Sequence, residues 1–293
     1  MSPDRQANVR LHIARIREAR QQGAEIVCLS ELFATQYFCK SLRPERFDLA
    51  EPIPGPTTER MQQLAAELEV VLVVPLFERQ APGVYRNSAA VIDADGSLLG
   101  VYRKMHIPHD PLYEEKYYFA PGEAGAPHWD SGKVRGTSGF RVWRTRYADI
   151  GVLICWDQWF PEAARITALL GADILLYPTA IAWHPREKEE WGAAQVDAWR
   201  TVQRGHAIAN GVYVAACNRV GFEAEEGSEG LEFFGRSFIA DPFGRLVAQA
   251  GGEPGLVIAQ CNPALVEETR RQWPFLRDRR VDAYAGLLSQ HLG

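Results

Sequence analysis

Asp149-Ile-Gly-Val-Leu-Ile-Cys155, then Pro161-Glu-Ala-Ala-Arg-Ile-Thr-Ala-Leu-Leu170, then Asp173-Ile-Leu-Leu-Tyr177, is the stretch that decides the fold. Its first and last pieces are short apolar runs of strand type, and the middle one carries a proline suited to a first helical turn. Strand, helix and strand in succession place a helix over a sheet.

The same grammar appears on either side. Upstream, Asn8 to Gln21 sets Val9, Ile13, Ile16 and Arg20 at helical spacing, Gly23 stands where a helix stops, and Glu25-Ile-Val-Cys-Leu29 reads as a strand. Thr57 to Glu69 reads as a helix, and Val70 to Phe77 as a buried strand. Asn87 to Asp93 and Ser97 to Arg103 flank an Asp95-Gly96 turn, which predicts a hairpin and brings in antiparallel pairing. Downstream, a long helix is expected over Trp191 to Asn210. Strands are expected over Tyr213 to Cys217, Arg236 to Ala240, Arg245 to Gln249 and Leu256 to Gln260, with a turn at Asp241-Pro-Phe-Gly244. Gly122 to Gly139 reads as a surface loop. The whole predicts one α/β domain over 1–293 with mixed sheets packed between helices.

Bulk properties narrow the function. The 293 residues carry a net charge of -5, and no Lys/Arg block is long enough to track a phosphate backbone, so nucleic acid is not an expected partner. The longest apolar runs are too short to span a bilayer, and the polar amino-terminal stretch lacks the apolar segment of a secretory signal; a cytoplasmic protein with no membrane partner is expected. Cys28, Cys39, Cys155, Cys217 and Cys261 are scattered, with no CxxC pair to seed a zinc site or a redox dithiol, so reduced thiols and no metal are expected.

Three positions carry candidate chemistry. Cys155 ends a strand where a tight turn enters a helix, a place where a thiolate can be stabilised and the following amides can meet an oxyanion. The bland alternative is a buried structural cysteine, which is what a cysteine taken at random usually is. Glu31 in Leu29-Ser-Glu-Leu-Phe33 follows a strand and would emerge at the carboxyl edge of the sheet. Lys104, in Tyr102-Arg-Lys-Met-His-Ile-Pro108, follows the hairpin. Taken singly, Glu31 could be a cap or a solvated acid, and Lys104 a surface charge.

Those three motifs in that order, over nearly the whole chain, resemble the nitrilase superfamily of carbon–nitrogen hydrolases. Within it, Cys155-Trp-Asp-Gln-Trp159, Tyr177-Pro-Thr-Ala-Ile181, Gln203-Arg-Gly-His-Ala-Ile-Ala-Asn210 and Cys217-Asn-Arg219 are similar to the branch acting on carbamoylated diamines. The resemblance implies an αββα sandwich pairing into αββα-αββα assemblies, with no cofactor. It implies that a small carbamoyl amine, N-carbamoylputrescine, is hydrolysed to putrescine, ammonia and carbon dioxide through a cysteine thioester. Cys155 would attack, Glu31 would serve as base, and Lys104 with the Trp156 backbone N–H would hold the oxyanion. Glu115, in Glu114-Glu-Lys-Tyr-Tyr-Phe119, would orient Lys104, with Glu114 the adjacent alternative.

Substrate contacts are expected from Asp110 and Glu187, and also Glu190, toward a distal ammonium, and from Trp156, Trp159 and Trp183 along an aliphatic chain. The same residues are commonly surface acids and packing aromatics. Two other functions compete: an amidase for another carbamoyl amine, carbamoyl amino acid or ω-amide, and a non-catalytic oligomeric protein that keeps the fold. Two departures stand out. The chain opens almost at its first helix, without the strand that members carry ahead of it, and the 122–139 loop is long. The Arg-rich arm at 270–293 is expected at a subunit interface of a homodimer or larger homo-oligomer.

Overall fold

The computed structural model describes residues 1–125, 128–225 and 229–292. The chain opens with helix α1 (Arg5–Gln21), whose N-cap Asp4 accepts a hydrogen bond from the Gln6 N–H, and continues into β1 (Ile26–Cys28). Helix α2 (Pro56–Leu68) leads to β2 (Val71–Ala81), β3 (Val84–Ile92) and β4 (Leu98–Arg103). A single turn, α3 (Glu115–Tyr118), precedes β5 (Trp129–Asp130), β6 (Val134–Thr137), β7 (Phe140–Arg144) and β8 (Asp149–Val152). Then come α4 (Pro161–Leu169), β9 (Ile174–Thr179), β10 (Ala182–Trp183), α5 (Lys188–Asn210) and β11 (Tyr213–Asn218). The chain ends through β12 (Val220–Glu223), β13 (Leu231–Phe234), β14 (Phe238–Ala240), β15 (Leu246–Gln249) and α6 (Pro263–Gln272).

Two sheets form the middle of the molecule. One has the order β1-β2-β3-β4, the other β15-β14-β11-β9-β8-β7-β6-β5, and a small sheet β10-β13-β12 lies apart. β1 runs parallel to β2, and β8, β9 and β11 are mutually parallel, while the hairpin strands pair antiparallel. Strand alternation decides the layering. Val71, Val73, Ala89 and Val91 pack into one cluster with Val142, Ile150, Val152 and Leu175 of the larger sheet. Their neighbours Leu72, Val74, Ala90 and Ile92 turn the other way, onto Val9 and Ile16 of α1 and Met61 and Leu64 of α2. On the far side of the larger sheet, α4 sits so close over β8 that a β-carbon added at Gly151 would run into Thr167 Cγ2. The order of layers is helix, sheet, sheet, helix: the αββα sandwich.

Several expectations are corrected. Leu256 to Gln260 is not a strand; it runs as partly exposed, irregular chain with no ladder partner among the described residues. The 122–139 stretch is not wholly loop: β5 and β6 lie within it and extend the edge of the larger sheet, although residues 126 and 127 lie outside the described residues. The small sheet and β7 were not legible at all. α1 is the first regular element, and the three-residue β1 stands at the edge of its sheet. Among the described residues no helix is long and apolar enough to cross a membrane, and no group of three or more His, Cys, Asp and Glu is arranged to hold a metal ion.

Candidate active site

β1, β2 and β4 run the same way within their sheet, so the residues just beyond β1 and β4 emerge at one edge, and Cys155 of the facing sheet lies close enough to them for their charges to act on its thiol. Glu31 follows β1, Lys104 follows β4 and Cys155 follows β8. The chain after β1 is held by Arg219, a fully buried guanidinium that donates to the carbonyls of Glu31 (2.9 Å), Leu32 (2.8 Å) and Thr35 (3.1 Å) and pairs with Glu223 at 2.8 Å. Leu32 there takes a φ of 51°, a conformation this clamp sustains.

Lys104 lies between two carboxylates, all three side chains buried. Its Nζ donates to Glu31 Oε1 at 2.8 Å and to Glu115 Oε2 at 2.7 Å. Asn87 Nδ2 donates to the same Glu31 oxygen at 2.7 Å, and the Tyr37 hydroxyl donates to Glu115 Oε1 at 2.8 Å. Glu31 Oε2 is buried and accepts nothing. Glu114 faces away and pairs with His109 at 3.2 Å. An ammonium has three donors, so Lys104 keeps one beyond the two carboxylates.

The ionisation states follow from burial. Desolvation alone would pull the Lys104 ammonium down, but Glu115 and Glu31 more than reverse this and hold it well above its ordinary value. Burial pushes Glu115 up to about 7, Glu31 adding to the rise and Lys104 opposing it. Its folded value lies above its ordinary 4.5, so between pH 4.5 and about 7 the folded protein holds a proton that the unfolded chain has released. The stability from this group is complete below 4.5 and lost as pH rises through about 7. The whole swing is on the order of 3 kcal/mol. Glu115→Gln should flatten that part of the stability–pH curve, measured by urea unfolding between pH 5 and 8; an unchanged slope would assign it to other groups.

Cys155 begins a 3-10 turn, Cys155–Trp159, with a φ of 45°, strained for a residue with a side chain. Asp157 holds this turn. Its buried carboxylate accepts from the Ile154 N–H (2.8 Å) and Tyr102 hydroxyl (2.8 Å) on one oxygen, and from the His106 N–H (3.0 Å) and His106 Nδ1 (2.7 Å) on the other. Thus the residue two past the thiol is tied to the loop just past Lys104, and the two halves of the site are pinned together. The Trp156 N–H is among the first of the turn, which find no partner inside it.

The expectation of a stabilised thiolate is corrected. Burial raises the Cys155 thiol well above its ordinary value, Glu31 and Glu115 raise it further, and Lys104 and a backbone hydrogen bond at Ala180 only partly oppose this. A short 3-10 turn has little dipole to offset two adjacent carboxylates. The resting group is a thiol, and any attack by sulfur requires a base to take its proton as it proceeds.

A cavity of about 450 Å³ opens beside the thiol, lined by Cys155, Glu115, Asp110, Tyr113, Trp156, Trp159, Ile181, His184, Glu187, Gln195 and Phe234. Asp110, Glu187, Trp156 and Trp159 from the sequence reading face it. Trp183 does not: its indole N–H donates to the Gly192 carbonyl at 3.0 Å, Lys188 covers its ring, and it packs on Phe234, because the β10 turn points it back at α5. Glu190 is exposed on α5, outside this lining. Gln195, which donates to Glu187 at 2.9 Å, and His184 and Tyr113 were missed, as were Asn87, Tyr37 and Asp157. Only Asn87 left a trace: a polar residue opening the strand expected over Asn87 to Asp93.

The family model for carbon–nitrogen hydrolases matches residues 1–271. This chain belongs to the carbon–nitrogen hydrolase family. It is 48% identical over 279 residues to an N-carbamoylputrescine amidase of Solanum lycopersicum, a match covering 94% of this chain and 87% of that one. It is 41% identical to a citrullinase of Francisella tularensis, across 95% of this chain and 91% of the relative. The crystal structure of a carbon–nitrogen hydrolase from Helicobacter pylori superposes with a TM-score of 0.90 at 41% identity, covering 99% of this chain and 95% of that one. The sandwich described above is thus the nitrilase fold, and the chain is a hydrolase of carbon–nitrogen bonds.

Proposed function

We propose that the chain hydrolyses N-carbamoylputrescine to putrescine, ammonia and carbon dioxide by way of a thioester on Cys155. The observation that carries this reading is a cavity whose wall holds the Cys155 thiol together with Asp110 and Glu187, with no lysine or arginine among its lining residues, while the buried Glu31 and Lys104 lie near enough to the thiol for their charges to act on it. Such a cavity suits a neutral carbamoyl group followed by an aliphatic chain and a cation. The 48% identical amidase of Solanum lycopersicum is named for this substrate.

As Cys155 Sγ bonds to the carbamoyl carbon, its proton passes to Glu31 Oε2. The charge developing on the substrate oxygen meets the third donor of Lys104 and the Trp156 N–H. Glu31 returns the proton to the departing nitrogen, ammonia leaves, and an alkylcarbamoyl thioester remains. Glu31 then takes a proton from water as its oxygen attacks the thioester carbon. The thiol is re-formed, and the released carbamate loses carbon dioxide to give the amine. Glu115 and Tyr37 keep Lys104 in place throughout.

Citrulline is the second reading, because the chain is 41% identical to a citrullinase. That substrate carries a carboxylate beside its ammonium, and here it would meet Asp110 or Glu187 without a basic partner. Ammonia release by the purified protein should favour N-carbamoylputrescine over citrulline, N-carbamoyl-β-alanine and an ω-amide by at least about tenfold in kcat/KM. Preference for citrulline would keep the thiol chemistry and overturn the pocket reading; no release from any of the four would favour a non-catalytic role. The same sample serves for assembly. Beyond α6 the arm exposes Trp273, Val281, Leu287 and Leu288, apolar surface that a second copy would cover, and we expect light scattering to give a dimer or larger.

A further inference from the structure

The hairpin register makes Asn87 and Lys104 a cross-strand pair. The Lys104 N–H donates to the Asn87 carbonyl at 2.9 Å, one step beyond the Ser88–Arg103 pairing. Asn87 lies on the same face of β3 as Ala89 and Val91, which point into the layer between the sheets, so its side chain tops that column at the reaction edge. Both members of the pair donate to one oxygen, Glu31 Oε1, Asn87 from 2.7 Å and Lys104 from 2.8 Å. The other oxygen accepts nothing, and Asn87 Oδ1 is likewise buried without a partner. The amide can be turned only one way, since its oxygen set against Glu31 would oppose acceptor to acceptor.

A glutamate's terminal torsion is broad, and a buried carboxylate beside an ammonium would otherwise turn to present both oxygens to it. That arrangement would occupy the oxygen needed to accept a proton. Asn87 opposes it by holding Oε1 from the second side. We propose that Asn87 is a positioning residue of the reaction, which fixes Glu31 so that Oε2 alone is the oxygen that takes and returns protons. This rests on the reading of Glu31 as the base. It matters most in the second half-reaction, because water is a weaker nucleophile than sulfur and depends more on proton removal.

The test uses the intact protein carrying Asn87→Ala or Asn87→Asp, the second nearly isosteric but unable to donate as a carboxylate. Both should lower kcat about 10- to 100-fold and leave KM within about threefold. Hydroxylamine, which attacks a thioester with less help from a base, should be decisive. It forms the hydroxyurea derivative of the amine, frees the thiol, and should accelerate the variants by a larger factor than the wild type. A purely structural role would lower both rates alike. Variants that turn over within twofold of wild type, or that gain no more from hydroxylamine than wild type does, would overturn the inference. If Asn87→Ala fails to fold, Asn87→Asp carries the same comparison. Failure of the underlying reading is distinguishable, since wild type would then release no ammonia, or Cys155→Ala would retain release.

Discussion

Cys155→Ala is expected to abolish hydrolysis, with kcat falling on the order of 10⁴- to 10⁶-fold, the range seen when a covalent nucleophile is removed. The fold should survive. The side chain is buried, and alanine loses only the sulfur atom, so about 1 kcal/mol of stability is at stake. The turn around it is held by Asp157 rather than by the thiol itself. Steady-state ammonia release and a thermal melt on the same preparation check both halves of this statement. Activity within a hundredfold of wild type would sink the thioester mechanism. An unfolded variant would instead show that the thiol is a structural member of the turn.

Lys104→Met should be the most damaging single change to stability. It removes the one cation between Glu31 and Glu115, both buried, and leaves two carboxylates in a desolvated space. Breaking such a group typically costs about 3–5 kcal/mol. Loss of the oxyanion donor should lower kcat by about 10²- to 10³-fold in whatever protein remains folded. Urea unfolding at pH 7.5 and rates normalised to folded protein separate the two effects. Pairing the change with Glu115→Gln tests the origin of the loss: because the second substitution removes an orphaned charge, the double variant should be more stable than the sum of the singles predicts. Strict additivity would mean that the three groups are not coupled as their distances imply.

What was legible in the sequence rests on local rules. The continuous apolar run Val70 to Phe77, the helical spacing of Val9, Ile13 and Ile16, and the Asp95-Gly96 turn each depend on neighbours a few residues away, and each produced its element. Glu31, Lys104 and Cys155 each follow a strand, which marked them as candidates, while the packing of one sheet on the other sets Cys155 beside the first two. Short elements escaped for other reasons: the two-residue β5 and four-residue β12 are too brief to show a period although their partners β6 and β13 come next in the chain, the two-residue β10 is held by β13 some fifty positions on, and Leu256 to Gln260 has a strand-like composition but no ladder partner among the described residues. Side-chain networks were beyond local reading as well. Asn87 meets Glu31 from 56 positions away, and Asp157 meets Tyr102 from 55. Trp183 has a composition suited to the pocket, yet the β10 turn points it elsewhere. The protonation of the site also belongs to the tertiary structure. A sequence can place a cysteine at the end of a strand, but only packing removes the water around it and sets two carboxylates and one ammonium beside it, and that balance keeps Cys155 a thiol until a base draws its proton away.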